Sequence, residues 1–205
     1  MRATLSELKD VERRRAAELL AAQWGRVAGW VRARRGRDGA LAVASFVGVR
    51  LEVDTAPLHR ALLGGGDGLW LPRVVGPGVM RFARVPDAAA LSALVRGPFG
   101  LREPSPVADA LAEGEVSGID VVLVPGLAFA EDGARLGQGG GFYDRCLGAP
   151  AAGEGARQGR PLAVGVGLDA QRLPAGQVPT ETHDVRMDAV WTPLGLHVVG
   201  EGLVG

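Results

Sequence analysis

Residues 119–129 read Ile119-Asp120-Val121-Val122-Leu123-Val124-Pro125-Gly126-Leu127-Ala128-Phe129. From Val121 the run is apolar without alternation, the pattern of a strand covered on both faces, and Pro125-Gly126 closes it. Working outward, Leu162–Leu168 is a second such run, and Leu41–Val49 is a β-rich run ending near Gly48. Helical spacing occupies Thr55–Leu63 and Pro86–Val95. Leu69–Val74 and Val79–Val85 read as strands joined by a turn at Gly76-Pro77-Gly78. Short strands at Ala189–Thr192 and Leu196–Val199 finish the chain. Buried strands alternating with helices imply an α/β sandwich with a mainly parallel sheet. No fixed-period repeat appears, and the glycine clusters at 64–68 and 137–141 lie inside this pattern rather than in a linker. One domain over 1–205 is expected, with a basic helical segment at 1–40 and a core at 41–199.

The 205 residues carry 23 Lys+Arg and 23 Asp+Glu, so the net charge is zero, yet Lys9 is the only lysine. Residues 1–40 hold ten cations against five anions, an excess of five that the remainder reverses. Ser6 reads as an N-cap, and Leu8, Val11, Leu19, Leu20, Trp24, Val27 and Val31 recur at near-helical spacing. A basic amphipathic helix can contact RNA; the blander reading, an arginine face in solvent with the other side packed, is preferred. A neutral total gives no prior for a nucleic-acid or membrane-surface binder, and neither partner is expected. One cysteine, Cys146, excludes an internal disulfide, and no Cys/His cluster has metal-ligand spacing. The sequence has no 18-residue apolar run and no signal-peptide h-region, so a cytoplasmic location is expected.

In open parallel sheets, ligands gather past the carboxyl ends of strands. Beyond Val124 come Gly133, then Arg135-Leu136-Gly137-Gln138-Gly139-Gly140-Gly141, then Phe142-Tyr143-Asp144-Arg145 at the start of an expected helix. Glycines let backbone N–H groups approach an anion, and arginines such as Arg135 and Arg145 hold phosphate or carboxylate oxygens in a fork. Asp144 is the kind of acceptor that binds Mg²⁺. The run is neither a Walker A loop nor G-x-G-x-x-G. On pattern alone, phosphate binding and a plain glycine-rich turn weigh equally.

The stretch Leu123–Phe129, Gly133–Arg145 resembles the signature of the 5-formyltetrahydrofolate cyclo-ligase family, also called 5,10-methenyltetrahydrofolate synthetase. Further islands fall in the family's order: Leu51-Glu52-Val53-Asp54-Thr55, Leu71-Pro72-Arg73-Val74, Met80-Arg81-Phe82, Phe99-Gly100-Leu101-Arg102-Glu103-Pro104 and Glu181–Asp188. The resemblance spans about residues 41–199. It implies a three-layer α/β/α fold related to sugar-phosphate isomerases and CoA-transferases. It also implies ATP- and Mg²⁺-dependent closure of 5-formyltetrahydrofolate, with or without a polyglutamate tail, to 5,10-methenyltetrahydrofolate by a monomer. In that chemistry the formyl oxygen attacks the γ-phosphate, N10 attacks the activated carbon, and phosphate leaves. Both nucleophiles belong to the substrate, so the protein positions and neutralises charge.

The resemblance assigns Arg135, Leu136, Gly137, Gln138, Gly139, Gly140, Gly141, Phe142 and Tyr143 to ATP, with Arg135 and Tyr143 as catalytic groups. It assigns Val47, Glu52, Gln138, Gly139, Gly140, Gly141 and Phe142 to the folate, and Asp144 and Asp184 to Mg²⁺. Asp54-Thr55 also reads as a helix N-cap. His183 is expected at the surface, Cys146 as a packed residue, and Trp70, Trp191 and Phe99 in core or rim packing. Two departures stand out. Ala130 occupies a position where the family has Asp, with Glu131-Asp132 next. At the N-terminus, Lys9 and Arg13 match a Lys-x-x-Leu-Arg motif only with Glu12 in place of leucine. The preferred alternative aligns Leu5-Ser6 onward with the family's second helix. A non-catalytic folate- or nucleotide-binding relative is the competing function, and isomerase chemistry rests on fold analogy alone.

Overall fold

The structure, a computed structural model, describes residues 5, 9–49, 51–76, 78–97, 100–106, 108–112, 116, 118–148 and 160–204. Ser6, Leu8, Pro77 and Phe99 lie outside the described residues. In chain order the elements are α1 (Asp10–Arg35), β1 (Ala42–Ala44), α2 (Ala56–Gly64), β2 (Gly68–Gly76), β3 (Val79–Val85) and α3 (Ala88–Ser92). Then come β4 (Val95–Arg96), β5 (Arg102–Glu103), β6 (Val121–Val124), β7 (Ala128–Ala130), β8 (Arg135–Leu136) and α4 (Phe142–Gly148). β9 (Leu162–Val166), β10 (Arg172–Leu173), β11 (Ala189–Thr192), β12 (Gly195–Val198) and β13 (Gly202–Val204) complete the chain.

Eight strands form one sheet in the order β13-β12-β11-β9-β6-β1-β2-β3. The five inner strands from β11 to β2 pair in parallel, while β3, β12 and β13 add antiparallel edges. The sheet is therefore mixed: a parallel centre carrying hairpin edges. Along β6 the side chains alternate between two apolar clusters. Val121 and Leu123 join α1 and α2 on one face, and Val122 and Val124 join Phe82, Cys146 and Leu147 on the other.

Expected elements shorten where tertiary contacts take over. Leu41–Val49 forms only the three-residue β1, after which the chain turns back on itself. A side chain at Gly48 would lie 2.0 Å from the Val53 carbonyl oxygen, which marks how closely the returning segment passes. Pro86–Val95 yields only α3, because Val95 and Arg96 leave it to pair with β5. On α1, Val11 and Leu19 are exposed, and alanines (Ala16, Ala17, Ala28) fill the face with Leu20, Trp24, Val27 and Val31.

The charge skew becomes internal pairing. Asp67 and Asp120, at the starts of β2 and β6, are buried and accept the N–H groups of Leu41 and Ala42 at 2.8 and 2.7 Å. Arg32 meets Asp67 at 3.4 Å and Arg37 meets Asp120 at 2.9 Å. The C-terminal end of α1 thus sits over the beginnings of the strands. A 26-residue helix is about 39 Å long, so its first residues lie at the opposite end, where the strands finish.

A second sheet, β10-β7-β8, was not anticipated from the sequence. Its β7 is anchored by Phe129, fully buried with its ring against β9. A Cβ on Gly165 would come within 2.5 Å of that ring, so glycine there lets the small sheet lie on the large one. Burying a side chain of this size contributes about 2–3 kcal/mol. β8 then delivers Arg135 and the glycine loop.

Candidate functional site

The loop after β8 is held from both sides. Leu127 N–H donates to the Leu136 carbonyl at 2.7 Å, and the Arg145 guanidinium donates to the carbonyls of Gly140 and Gly78 at 2.7 and 2.9 Å. The second contact ties the loop to the tip of the β2–β3 hairpin. Gly141 has φ +60°, and a Cβ there would sit 2.8 Å from the Arg145 guanidinium. Among the described residues, the N–H groups of residues 137–141 donate to no protein acceptor. They stand available to an anion.

Arg135 and Asp144 form the centre of the site. Their side chains are 8% and 14% exposed, and Nη2 meets Oδ2 at 2.6 Å. Arg135 Nη1 also donates to the Pro125 carbonyl at 3.3 Å, while its buried Nε has no acceptor. The guanidinium stands 5.9 Å from the Tyr143 ring centroid. The second Asp144 oxygen accepts the Val185 N–H at 3.3 Å, placing the segment that contains Asp184 directly beside it. Asp184 itself accepts the Glu181 N–H at 2.7 Å and has His183 at 3.9 Å. His183 is exposed.

Glu52 lies in the loop between β1 and α2, where it accepts the Val49 N–H at 3.2 Å. Gln138, from the middle of the glycine loop, donates to its other oxygen at 2.9 Å. Burial raises the Glu52 carboxyl above its usual value, against the lowering effect of these two bonds. Burial likewise raises the Tyr143 phenol, with the Glu52 charge adding to it and Arg135 opposing it, so Tyr143 keeps its proton. Glu52, Gln138, Tyr143, Arg135 and Asp144 therefore form one connected group past the carboxyl ends of the central strands. Val47 packs half-buried on the α1 face, while Phe142 packs on the other.

The remaining sequence candidates take structural places. Asp54 Oδ1 accepts the Ala56 N–H at 2.9 Å, whereas the Thr55 hydroxyl turns away to the Phe46 carbonyl at 2.6 Å. Cys146 is buried and its thiol is pushed up to about 11. Trp191 is core, stacked obliquely on Trp24 and bonded to Gln23 at 2.9 Å; Trp70 is half-buried beneath Arg84. Ala130 is fully buried in β7, and the acidic residues beside it face outward, Glu131 toward Arg172 and Asp132 toward Arg186. Two cavities, of about 330 and 460 Å³, are lined by residues such as Arg84, Pro86, Asp67 and Asp109 and by none from the glycine loop. They lie at the hairpin's base, away from the grouped polar residues.

Sequence reasoning gave Arg73 and Arg81 no place among the candidate residues, although they pair directly across the hairpin. The signal was present: both occupy positions where the two-residue alternation of β2 and β3 calls for an apolar side chain.

A family profile described as 5-formyltetrahydrofolate cyclo-ligase family matches residues 1–193, taking in α1 and the expected 41–199 core up to the end of β11. The chain is similar to 5-formyltetrahydrofolate cyclo-ligase of Mycolicibacterium smegmatis, 43% identical over 100 residues, covering 49% of this chain and 46% of that protein. It thus spans just under half the length of that relative. The protein of the same name from Escherichia coli K12 is 34% identical over 152 residues, covering 74% of this chain and 77% of that one. The solved structure of Aquifex aeolicus 5,10-methenyltetrahydrofolate synthetase superimposes with a TM-score of 0.74 at 27% identity, covering 99% of this chain and 91% of that one. With the profile matched over nearly the whole sequence and the fold reproduced, the chain belongs to the 5-formyltetrahydrofolate cyclo-ligase family.

Proposed function

We propose that the chain catalyses the ATP- and Mg²⁺-dependent cyclisation of 5-formyltetrahydrofolate to 5,10-methenyltetrahydrofolate, with release of ADP and phosphate. The observation that carries this reading is the 2.9 Å bond from Gln138 to Glu52. It joins the anion-accepting loop to the carboxylate suited to a pterin, so the two substrates meet across a single side chain.

The donor set suits a nucleotide with its metal. Free amides at 137–141 and the spare Arg135 Nε are donors for phosphate oxygens. Asp144 is a carboxylate that can pass from Arg135 to a cation, with Asp184 next to the Val185 that already binds it. Magnesium is commonly held by one or two carboxylates plus phosphate oxygens. As the structure stands, Arg135 and Asp144 neutralise each other. With MgATP bound, the Arg135 guanidinium would hold phosphate oxygens and Asp144 would hold the metal, each replacing the other's charge. ATP supplies the phosphoryl group that activates the formyl oxygen. The protein orients: Glu52 accepts pterin N–H groups, Tyr143 presents a protonated phenol, and the loop amides meet developing phosphate charge.

The direction of α1 places Lys9 and Arg13 at this same end, and Arg13 Nη1 is buried without an acceptor. That supports Lys9 and Arg13 as further phosphate contacts, in preference to the alignment with the family's second helix. We further read the two-sided packing, α1 and α2 against one face and α4 against the other, as a three-layer sandwich. We read the chain as one domain acting as a cytoplasmic monomer. No helix among the described residues is long and apolar enough to cross a membrane.

The test is ATP-dependent appearance of the methenyl chromophore from 5-formyltetrahydrofolate. Folded protein that gives no product at high concentration, yet binds the folate, would instead make this a non-catalytic relative. Ala130 in place of the usual Asp is the observation favouring that outcome.

A further inference from the structure

Leu69 and Leu71 on β2, and Ala83 and Val85 on β3, are buried on the face covered by α1 and α2. The next positions on that face are Arg73 and Arg81, paired directly across the hairpin. Like charges opposed on neighbouring strands destabilise a sheet. Arg73 is accounted for. Its Nη1 donates to the Ser105 carbonyl at 3.2 Å, and its charge lowers the otherwise raised carboxyl of buried Glu103. Arg81 has no hydrogen bond or ion pair among the described residues, and its Nε is closed off from solvent without an acceptor. A guanidinium in that position is a fork of donors awaiting an anion.

Its place identifies the anion. Ala44 pairs with Trp70 in parallel register, so Arg73 overshoots the end of β1 by three residues, about 10 Å. This is the end where Glu52, Gln138 and Tyr143 meet. The glycine loop's Phe142 packs on the opposite face, with Met80 and Phe82, whereas Arg81 shares its face with Phe46 and Val47. Leu51 and Val53, the neighbours of Glu52, pack on that same face, so Arg81 stands on the side of the sheet from which Glu52 reaches the site.

We propose that Arg81, backed by Arg73, is a substrate anchor that takes a carboxylate of the folate's glutamate end. This deepens the folate reading above and rests on it. The experiment titrates the whole protein with 5-formyltetrahydrofolate and with 5-formyltetrahydropteroate, which keeps the pterin and aminobenzoate but lacks the glutamate. Wild type should bind the folate about tenfold or more tightly than the pteroate. Arg81→Gln should abolish that preference while leaving pteroate and MgATP affinities unchanged, and Arg81→Lys should keep part of it. The melting temperature of Arg81→Gln should hold or rise, because an uncompensated cation is removed. Equal affinity of wild type for both ligands, or equal weakening of both in Arg81→Gln, would overturn the proposal. So would a loss confined to MgATP, which would assign the anion to phosphate. If wild type binds neither pterin compound, the folate reading itself fails.

Discussion

Replacing Asp144 by Ala separates the structural and functional demands on the site. In the ligand-free protein Asp144 neutralises Arg135 at 2.6 Å, with the two side chains 14% and 8% exposed. Breaking a buried pair from one side costs about 3–5 kcal/mol, mainly from the charge left behind. Because a little solvent reaches both groups, and Arg135 keeps its bond to Pro125, the lower end applies. About 3 kcal/mol corresponds to a fall in Tm of roughly 6–12 °C in a chain of this size. Removing both charges, as Arg135→Met with Asp144→Leu, should recover at least about 1 kcal/mol of that loss, because no orphaned ion remains. Differential scanning calorimetry of Asp144→Ala, and of wild type, Arg135→Met, Asp144→Leu and their double variant as a closed cycle, measures both effects. MgATP at about a hundred times its Kd should then stabilise wild type by roughly 2.7 kcal/mol and Asp144→Ala far less. A Tm change of a degree or less for Asp144→Ala, as expected of a solvent-exposed pair, would refute the reasoning. So would a coupling energy near zero.

Three further outcomes follow from the geometry. Glu52→Gln should abolish folate binding yet raise Tm at neutral pH: burial raises the carboxyl, so its ionised form weighs against the fold above that raised value, and this cost vanishes below the ordinary 4.5. Calorimetry and folate titration on the same sample check both halves. His59, buried and bonded to Ser45 at 2.9 Å, is lowered by burial from 6.5 to about 4. The unfolded chain therefore takes up a proton that the fold refuses, and roughly 3 kcal/mol of stability present above pH 6.5 should disappear as pH falls to about 4. Urea melts of wild type and His59→Leu across that range should show the slope only in wild type. Gly141→Ala forces a side chain onto φ +60° and against Arg145; it should cost about 1–2 kcal/mol and weaken MgATP binding in calorimetric titration.

The strands most readable from the sequence were those buried on both faces. Val121–Val124 and Leu162–Val166 are uninterrupted apolar runs because no solvent-facing residue breaks them. The glycine loop was legible for a local reason as well: Gly139 and Gly141 take left-handed backbone, with φ +91° and +60°, a conformation that favours glycine whatever the tertiary surroundings. Leu41–Val49 misled because apolar composition cannot distinguish a strand from a buried loop that turns back at Gly48. β7, β8 and β10 escaped notice because two- and three-residue strands carry no periodicity and exist only by docking Phe129 on Gly165.

What the sequence determined by itself, then, was the set of locally enforced features: doubly buried strands, a backbone that must be glycine, and the ordered motifs that mark the family. Tertiary structure alone decided which charges meet. The direction of α1 sends Arg32 and Arg37 to the aspartates that start the strands and carries Lys9 and Arg13 to the other end. The hairpin register sets Arg73 against Arg81, and the fold of the β1–α2 loop brings Glu52 to Gln138 across 86 positions of chain. An ion pair acts through space, so its partner is set by how the chain folds and not by spacing along it.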